Sequence, residues 1–448
     1  MISDRILRRY ILQLLIALII LPFMGHAQTG SQILIKNVRI FDGTSMELSR
    51  PVHVLIEGNI IKQISTTAIQ TRKNTLVFDG KGKTLIPGLI DMHAHLVFGS
   101  MTMMELLSPD LSEEGILRKA SENAEKMLLR GFTTVRDVGG PIFPLKAMID
   151  AGKMNGPRIW PAGAVISQTG GHGDFRTPAE RPRRFFGQVS RAELYGAAFI
   201  ADGKDEVLTA VRENLRNGAA LIKLMAGGGT SSEYDPIDVT QYTLEELKAA
   251  VEAAQDWGTY VTVHAYTPRA VKKAIEAGVK CIEHGQMLDE ETLLLVKEND
   301  VWLSLQVLPE NSPAMSPSRL EKRKPVLEGQ PNVWTKAKEL GIKIAWGTDF
   351  LFEPALNARQ NEFILYLKKW FTSAEILKMI THDNAQLLNL SGLRSPYKGE
   401  LGVIKEGALA DVILIDGDPI KSLELVASPD QNFLLIIKDG KIYKNVIK

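Results

Sequence analysis

An alternation of short β-branched segments with longer amphipathic segments runs from Leu85 to about Leu390, and it constrains the fold more than any other feature. Segments such as Thr243 to Trp257 repeat apolar residues at helical spacing, whereas Tyr260 to Val263 has the character of a strand. Alternation at this period indicates a parallel α/β domain. We count eight strands, the first beginning at Leu85 and the last ending at Trp346, which predict a (β/α)8 TIM barrel.

Both ends of the chain have a different sequence pattern, in which short strand-like segments are separated by Gly, Asn and Asp. The clearest of these segments are Ile33–Ile40, Val52–Ile56, Asp411–Ile415 and Leu434–Ile437. We predict that residues 28–85 and 396–448 build one small β-sandwich domain together, and that residues 86–395 form the barrel. His53 lies in one of the strand-like segments and is expected to be structural.

The start of the chain has the order of a secretory signal peptide. Three arginines at positions 5, 8 and 9 precede an apolar segment from Ile11 to Phe23, and Gly25-His26-Ala27 follows. The apolar segment is shorter than the ~20 residues of a membrane-spanning helix, which favours a cleaved signal peptide over an anchor. We therefore predict a signal peptide over residues 1–27 and export, to a bacterial periplasm, with no stable membrane association afterwards.

The charge balance and the cysteine content limit which partners and which kinds of metal site are expected for this chain. The 53 basic and 52 acidic residues leave a formal charge of +1, which gives no reason to expect nucleic acid as a partner. Cys281 is the only cysteine, so an intramolecular disulfide and a cysteine-based zinc site are excluded. Any metal would therefore be held by nitrogen and oxygen atoms. A homo-oligomer remains open at this stage.

Residues that suit a metal follow several of the predicted barrel strands, where the catalytic groups of such barrels lie. His93 and His95 follow the first strand and, being two residues apart, point to the same side. His264, His284 and Asp349 each follow a further strand. A single histidine after a strand is usually structural, but here four of the chain's eight histidines occupy such positions. Imidazole and carboxylate ligands suit zinc and similar metals.

Lys223 lies inside the apolar segment Leu221–Met225, where an unpaired ammonium would be costly to bury. In one interpretation, the side chain extends to the barrel mouth or pairs with a carboxylate. In the other, burial lowers the pKa of the amine, and the neutral amine reacts with carbon dioxide. The resulting carbamate has two oxygens and can bridge two cations.

Taken in chain order, these residues resemble the metal set of the amidohydrolase superfamily. The chain is similar to the imidazolonepropionase-like branch, which contains Xaa-Pro dipeptidases, related carboxypeptidases and the ochratoxin-cleaving amidase. The resemblance extends from about Ile33 to the end of the chain. It includes Pro87-Gly88-Leu89-Ile90-Asp91, His93-Ala94-His95, Gly170-Gly171-His172-Gly173-Asp174, Val263-His264-Ala265-Tyr266, Ile282-Glu283-His284-Gly285 and Gly347-Thr348-Asp349.

The resemblance implies a binuclear site with two divalent metal ions, for which Zn²⁺ is expected. One ion would be held by His93, His95 and Asp349, the other by His264 and His284, and carboxylated Lys223 would bridge them. A hydroxide shared by the two ions would attack an amide carbonyl, with Asp349 as general base and then general acid. His172 would contact the tetrahedral intermediate or the substrate backbone, and Tyr266 a substrate carboxylate. The alternatives are a histidine that stabilises its loop and a tyrosine that is packed at the barrel mouth.

We therefore predict a binuclear metal-dependent amidohydrolase that cleaves dipeptides or N-acyl amino acids. The alternative is a ring-opening hydrolase or deaminase of a small heterocycle, similar to imidazolonepropionase. Such enzymes commonly use a single metal, so Lys223 would then have no ligand role. A non-catalytic relative would lack ligands, and none is missing from the sequence.

A few residues near these motifs have less specific signals. Arg176 and Arg269 are candidate partners of a substrate carboxylate. Asp137 is expected to order the barrel mouth, and the pair His382 and Asp383 to be structural. Gly227-Gly228-Gly229-Thr230 lacks the Gly-Lys-Ser/Thr ending of a phosphate loop, so we predict a flexible turn beside the metal site.

Overall fold

The computed structural model describes residues 31–308, 311 and 315–447 of the chain. The predicted signal peptide, residues 1–27, lies outside the described residues. Within the described ranges, no helix has both the length and the apolar character needed to span a membrane.

Among the described residues, five strands precede the central strands, and the first of the five pairs with two groups of partners. They are β1 (Gln32–Ile40), β2 (Val52–Glu57), β3 (Ile60–Ser65), β4 (Leu76–Asp79) and β5 (Thr84–Pro87). Strand β1 is antiparallel to β2, and it is parallel first to β4 and then, at Arg39 and Ile40, to β5. A bulge that contains Asn37 at φ 53° separates the two parts of β1. The bulge lets β1 pair with β4 before it and with β5 after it.

The central strands pair in parallel, as the α/β pattern predicts. They are β6 (Leu89–Ala94), β7 (Phe132–Asp137), β8 (Arg158–Pro161), β9 (Val165–Ser167), β10 (Ala198–Ile200), β11 (Ile222–Met225), β12 (Val261–Ala265), β13 (Cys281–His284), β14 (Trp302–Leu305) and β15 (Ile344–Trp346). One sheet has the order β6-β7-β8 and the other the order β10-β9-β11-β12-β13-β14-β15. All of these pairs are parallel, so the predicted α/β class is confirmed.

The two central sheets are joined at both sides by hydrogen bonds. The Ala220 N–H donates to the Pro161 carbonyl at 2.7 Å, and the Asp349 N–H donates to the His93 carbonyl at 2.7 Å. The Asn384 side chain donates to the carbonyls of Ile90 in β6 and Trp346 in β15. The carboxyl ends of β6 and β15 are therefore held side by side.

The predicted first barrel strand, which begins at Leu85, is wrong in its extent. The structure divides the segment at Gly88, because β5 pairs with β16 (Val412–Ile415) and β6 pairs with β7. The Gly88 N–H donates to the Asp411 carbonyl, and a Cβ at Gly88 would lie 2.0 Å from Thr133 Oγ1. Glycine is needed for this close passage between two sheets, and a continuous apolar segment does not reveal it.

Strands from both chain ends pair in one sheet. With β17 (Phe433–Lys438) and β18 (Lys441–Asn445), the order is β18-β17-β16-β5-β1-β2-β3, and β4 lies beside β1. A single apolar cluster packs Ile35 and Val54 from the first part of the chain with Leu414 and Leu435 from the last. The two ends of the chain therefore share one core.

The helices alternate with the central strands or follow them. The α-helices are Met103–Leu106, Glu113–Leu129, Phe143–Asp150, Arg191–Leu194, Lys204–Arg216, Leu244–Asp256, Pro268–Glu276, Glu290–Glu298, Pro317–Leu340, Pro354–Asn357, Ser373–Lys378, Asn384–Leu388, Glu424–Ala427 and Pro429–Asn432. Thr243 caps one of them, because its hydroxyl accepts the Glu246 N–H while the Glu246 side chain accepts the Thr243 N–H. Leu247 and Val251 of that helix are buried in the main core, as its amphipathic pattern predicts.

Candidate active site

Three side chains meet at the carboxyl ends of β6 and β15. His93 Nε2 lies 3.1 Å from Asp349 Oδ1, and His95 Nε2 lies 3.3 Å from the same oxygen. One ligand atom from each of the three residues lies within 4.8 Å of the others, a grouping that can hold a metal ion. The structure therefore brings together one of the two donor sets that the resemblance implies.

His264 and His284, on β12 and β13, lie next to this group. The two ring centroids are 4.3 Å apart, and the His284 ring is 5.0 Å from that of His93. His264 Nε2 faces the Gly228 carbonyl at 3.1 Å, which leaves Nδ1 for another ligand. His284 Nδ1 is buried without a hydrogen-bond partner among the described residues and lies 4.0 Å from Asp349 Oδ2. A buried nitrogen in this state is suited to a metal ligand.

The protonation states of these residues also suit metal binding. Burial lowers the pKa of His264 and that of His284 well below the usual value. The neutral imidazole that results is the form that binds a metal. Burial alone would raise the pKa of Asp349, but His93 and His95 hold it well below its usual range. Asp349 is therefore an ionised carboxylate. Burial would lower the pKa of His93, but Asp349 and Glu283 raise it, so His93 differs in this respect from His264 and His284.

Lys223 lies on the wall of the same pocket and is 1 % exposed. Burial lowers the pKa of its ammonium, although Glu283 and Asp349 act in the opposite direction. A neutral amine is the species that can react with carbon dioxide. The donor set as a whole therefore fits a pair of divalent cations held by nitrogen and oxygen.

A buried ion pair supports His93 from behind. Glu283 Oε2 lies 2.9 Å from His93 Nδ1, and Arg136 Nη2 donates to Glu283 Oε1 at 2.6 Å. Both side chains of the ion pair are fully buried. Because the carboxylate accepts a proton from Nδ1, His93 is held with Nε2 directed at Asp349. Sequence analysis missed both partners, since a charged residue inside a strand does not reveal which distant residue it contacts.

Asp91 ties the two strand ends that carry the first donor set. Its carboxylate accepts the backbone N–H groups of His93 and Thr348 and the Thr348 hydroxyl, the last at 2.6 Å. A Cβ at Gly347 would lie 2.2 Å from the His93 backbone nitrogen. In the Gly347-Thr348-Asp349 motif, the glycine is therefore needed because a side chain would collide with the His93 backbone. The threonine is needed because its hydroxyl donates to Asp91.

Two site residues have strained backbone conformations. His284 has φ 80° and Asp349 has φ 55°, in the left-handed region that residues other than glycine rarely occupy. Such strain is typical of residues whose side-chain direction matters for function. The sequence does not reveal it, because most Asp and His residues have a negative φ, although both types are enriched among the non-glycine residues with a positive φ.

His172 lies above the second pair of histidines. Its ring stacks on that of His264, with centroids 4.1 Å apart and planes at 27°. Its Nδ1 lies 2.6 Å from Ser232 Oγ and 3.2 Å from Asp235 Oδ2. The structure thus places His172 in the pocket, while its contact with substrate stays a prediction.

We expect Gly229→Ala to lower kcat/KM by about 10- to 100-fold, because misplacing a group by about 1 Å can have an effect of this size. A Cβ at Gly229 would lie 2.1 Å from His172 Cε1, so the imidazole would have to move. Steady-state kinetics on a cleaved amide provide the measurement. Gly227→Ala is the matched control, since its Cβ would meet no atom closer than 3.4 Å. Equal activities of the two variants would contradict this expectation.

Tyr266 and two arginines line the same pocket as the first donor set. The Tyr266 ring lies 5.1 Å from that of His264 and 4.9 Å from that of His284. Arg319 and Arg323, both on helix Pro317–Leu340, line the same pocket. Arg323 is 4 % exposed, and Arg319 pairs with Glu353 at 2.7 Å. Sequence analysis missed these arginines. Their four-residue spacing predicts that they share one face of a helix, but it does not show that this face contacts the pocket.

The structure does not place the two arginines that the sequence suggested as carboxylate partners in the lining of the histidine pocket. Arg176 donates to Asp174 at 2.8 Å and lines a separate depression. Arg269 is absent from the described residues that line the pocket of the histidines. Both lie near the motifs in sequence, but this nearness does not bring either of them to the pocket lining.

The residues expected to be structural have structural contacts. Asp137 accepts the backbone N–H groups of Leu96 and Gly139, which orders the chain around β6 and β7. His382 Nδ1 lies 2.8 Å from Asp383 Oδ1 in a short π-helix. His53 Nδ1 accepts the Asn37 N–H beside the bulge of β1.

Comparison with known proteins agrees with this geometry. The model of the amidohydrolase family matches residues 84–447. Ochratoxinase of Aspergillus niger is 31% identical over 375 residues, which cover 80% of this chain and 75% of the relative. The crystal structure of an amidohydrolase has a TM-score of 0.84 at 34% identity and covers 93% of this chain and 100% of that chain. A prolidase complexed with N-methylphosphonate-L-proline has a TM-score of 0.84 at 30% identity, with the same coverage.

The family match covers most of the chain, and the ochratoxinase relative exceeds 30% identity over most of its own length. The matched range contains every residue of the candidate site. The chain therefore belongs to the amidohydrolase family and is a hydrolase that acts on carbon–nitrogen bonds.

Proposed function

We propose that this protein is a binuclear metal-dependent amidohydrolase that releases an amino acid from a dipeptide or an N-acyl amino acid. The observation that carries this proposal is the presence of Arg319 and Arg323 in the same pocket as the histidine cluster. A guanidinium is suited to binding a carboxylate. Substrates with a free carboxylate are therefore favoured over the small heterocycles of the alternative prediction.

The first donor set in this proposal is His93, His95 and Asp349, the second is His264 and His284, and carboxylated Lys223 joins them. When bound, two divalent cations such as Zn²⁺ would lower the pKa of water and polarise the carbonyl of the scissile amide. The 24% exposure of the Asp349 side chain, against 1% for His93, supports an Asp349 oxygen that is open to the pocket.

Asp349 Oδ2 is the proton carrier in this proposal. Asp349 Oδ1 lies between His93 and His95, whereas Oδ2 is turned toward His284. Oδ2 takes the proton of the attacking water and passes it to the nitrogen of the departing amine. This assigns a different task to each oxygen of one carboxylate.

Tyr266 and the pocket arginines orient the substrate in this proposal. Arg323 and the Tyr266 hydroxyl bind the carboxylate of the amino acid to be released. Arg323 is the better candidate for the anion, because it is 4 % exposed and its Nε donates to Asn311 Oδ1 at 2.8 Å, which holds the guanidinium in the pocket lining. The solved relatives include a prolidase bound to a proline phosphonate, which has the same carboxylate-bearing end. Ochratoxinase is the curated relative that supports an amidase.

We also propose that β6, β7, β8 continued by β9, and β11 to β15 form a (β/α)8 barrel, in which β8 and β9 count as one interrupted strand. Hydrogen bonds at both junctions between the sheets support this proposal. We propose a β-sandwich for the strands of the two chain ends, supported by the apolar cluster that they share. Export to a periplasm remains a proposal that N-terminal sequencing of the secreted protein would test.

The experiment is amino-acid release by zinc-loaded protein from pools of Xaa-Pro, Xaa-Arg and Xaa-Phe dipeptides and N-acyl amino acids. We expect release from at least one pool, and none from the same substrates when their carboxylate is capped as an amide. Metal-stripped protein and Asp349→Asn are the controls, and both are expected to be inactive. Full activity without metal, or no release from any pool, would contradict the proposal.

A further inference from the structure

Two neighbouring phenylalanines are exposed on a loop of residues 181–187, here called the aromatic loop. Phe185 is 67% exposed and Phe186 is 97% exposed. Val189 and Leu194, which follow in the chain, are also exposed. Single exposed apolar residues are common on protein surfaces, whereas a group of them within one short segment is typical of an interaction site.

The backbone of the aromatic loop closes on itself and holds the two rings at its tip. The N–H groups of Phe185 and Gly187 both donate to the Pro182 carbonyl, at 2.9 and 3.1 Å. A Cβ at Gly187 would lie 1.8 Å from the Arg181 carbonyl oxygen, so glycine is needed where the loop closes. Phe186 has φ 65°, which a bulky residue rarely adopts. Backbone strain of this kind is typical of residues whose side-chain direction matters for function.

The aromatic loop also carries positive charge. Arg181, Arg183 and Arg184 precede the two rings directly, and all three are exposed. Arg183 lies 3.5 Å from Glu193, and Arg184 lies 2.9 Å from Glu206, but the two arginine side chains remain 51% and 64% exposed. Exposed ion pairs of this kind are weak, so both guanidinium groups can bind another anion. The matching partner is therefore an apolar surface with negative charge at its edge.

The same chain has such a surface, here called the acidic groove. Its volume is about 520 Å³, and its apolar lining includes Ile116, Leu117 and Phe199. The charged residues among its described lining are Glu113 and Glu114, which are exposed in the first turn of their helix. A cavity of about 150 Å³ is enough to bind one benzene molecule. The groove therefore has room for two phenyl rings.

The aromatic loop and the acidic groove are neighbours on the surface. From the loop, the chain continues through helix Arg191–Leu194 to Tyr195 and Phe199, which line the groove. Phe199 also lines a depression that reaches Arg183. The 97% exposure of Phe186 shows that its ring does not enter the groove of its own chain. A projection beside a matching recess is self-complementary under a twofold axis, because each copy can then receive the other.

We propose that this surface is the interface of a symmetric homodimer, in which the aromatic loop of each copy occupies the acidic groove of the other. The two rings become buried against the apolar lining, and Arg181 and Arg184 meet Glu113 and Glu114. Aromatic residues and arginine are enriched in interfaces of this kind. The proposal is independent of the reaction, because no described residue of the loop or the groove lines the pocket of the histidines.

Sedimentation velocity of the purified protein over a concentration series is the first test. We expect the wild type to form a dimer and Phe186→Ser to raise its dissociation constant by at least about 100-fold, because a symmetric interface loses the ring twice. Leu76→Ser is the matched control, since Leu76 is a 52% exposed residue of β4 and lies in neither surface. The control should dimerise as the wild type does, and circular dichroism should show that both variants are folded.

Charge reversal identifies the surface that the loop meets. Arg181→Glu with Arg184→Glu makes the loop acidic like the groove, whereas Glu113→Lys with Glu114→Lys makes the groove basic like the loop. Each double variant alone should be a monomer, because like charges then meet at both contacts. An equimolar mixture should form a heterodimer within about tenfold of the wild-type affinity, because opposite charges again meet at both contacts. Native mass spectrometry distinguishes the heterodimer by its mass.

Three outcomes would overturn the proposal. The first is a wild-type protein that is monomeric over the whole series, and the second is a dimer whose dissociation constant Phe186→Ser leaves unchanged. The third is a mixture of the two charge-reversed variants that stays monomeric, because the loop would then meet a surface other than the groove. Cosedimentation with anionic lipid vesicles is measured in parallel. Vesicle binding that Phe186→Ser abolishes, without a dimer in solution, would assign the aromatic loop to a membrane surface instead.

Discussion

Lys223→Met is expected to lower kcat/KM by at least ~1000-fold, since the loss of metal-ion catalysis removes several kcal/mol of transition-state stabilisation. The same change should leave the metal-free protein as stable as the wild type, or more stable. Activity and stability are thus expected to move in opposite directions, which an ordinary destabilising core variant would not produce.

The physical reason lies in the surroundings of Lys223. The ammonium is fully buried, and burial lowers its pKa, so its charge is unfavourable in the metal-free protein. Methionine has a side chain of similar length that fills the space without a polar group. The substitution therefore removes a buried charge and, with it, the proposed bridge between the two donor sets.

Amino-acid release, metal content by mass spectrometry and urea unfolding of the metal-free protein measure the three effects. Lys438→Met is the matched control, because Lys438 is also a buried lysine and burial lowers its pKa to about 8. Lys438 donates to the Gly156 carbonyl and is not part of the pocket lining. We expect this control to keep full activity. A Lys223→Met variant with wild-type activity and two metal equivalents would refute the ligand role.

The fold class and the histidine cluster could be predicted because both depend on local patterns. Strand and helix periods are visible within short segments, and parallel strands place their carboxyl ends on one side. Once Val261 to Ala265 and Cys281 to His284 are recognised as strands, the direction of His264 and His284 follows. The close approach of these two rings in the structure agrees with that reasoning.

The supporting contacts could not be predicted because they join residues that are distant along the chain. Arg136 meets Glu283 across 147 positions, and His172 meets Asp235 across 63. Each of these residues is a plausible surface charge or loop residue by its local sequence. The division of the chain at Gly88 is hidden for the same reason, since its partner Asp411 is near the other end.

Glu283→Gln is expected to destabilise the metal-free protein by about 3–5 kcal/mol, because breaking a buried ion pair leaves an uncompensated charge. The charge left behind is that of Arg136, which is fully buried beside Glu283. Arg136 keeps hydrogen bonds to the Met92 carbonyl, the Tyr260 hydroxyl and Ser304 Oγ, but none of these partners is ionised. Denaturant unfolding at pH 7 measures the loss.

The size of this stability difference depends on the pH at which unfolding is measured. Burial would raise the pKa of Glu283, but Arg136 and His93 hold it well below its usual range. A carboxylate with a depressed pKa stabilises the fold above its unfolded pKa of about 4.3, and this contribution is lost as the pH falls through the folded pKa. At pH 7 the wild type has the full contribution, so the difference from Glu283→Gln is greatest there.

The combined variant Glu283→Gln with Arg136→Met is expected to recover part of the lost stability, because no buried charge is then left without a partner. Stability alone does not separate a structural ion pair from one that orients a ligand. Metal affinity does, because Glu283 accepts the Nδ1 proton of His93 and keeps Nε2 directed at Asp349. Losing such a partner typically weakens metal binding by about 10- to 100-fold.

Asp411→Asn is the control for this metal measurement. Asp411 pairs with Arg158 at 3.1 Å, and both side chains are nearly buried, but neither lines the pocket of the histidines. Asp411→Asn should therefore lower the free energy of unfolding and leave the zinc dissociation constant unchanged, whereas Glu283→Gln should change both. If the two variants weakened zinc binding equally, the effect would reflect general loosening of the fold. Glu283 would then stabilise the fold without orienting His93.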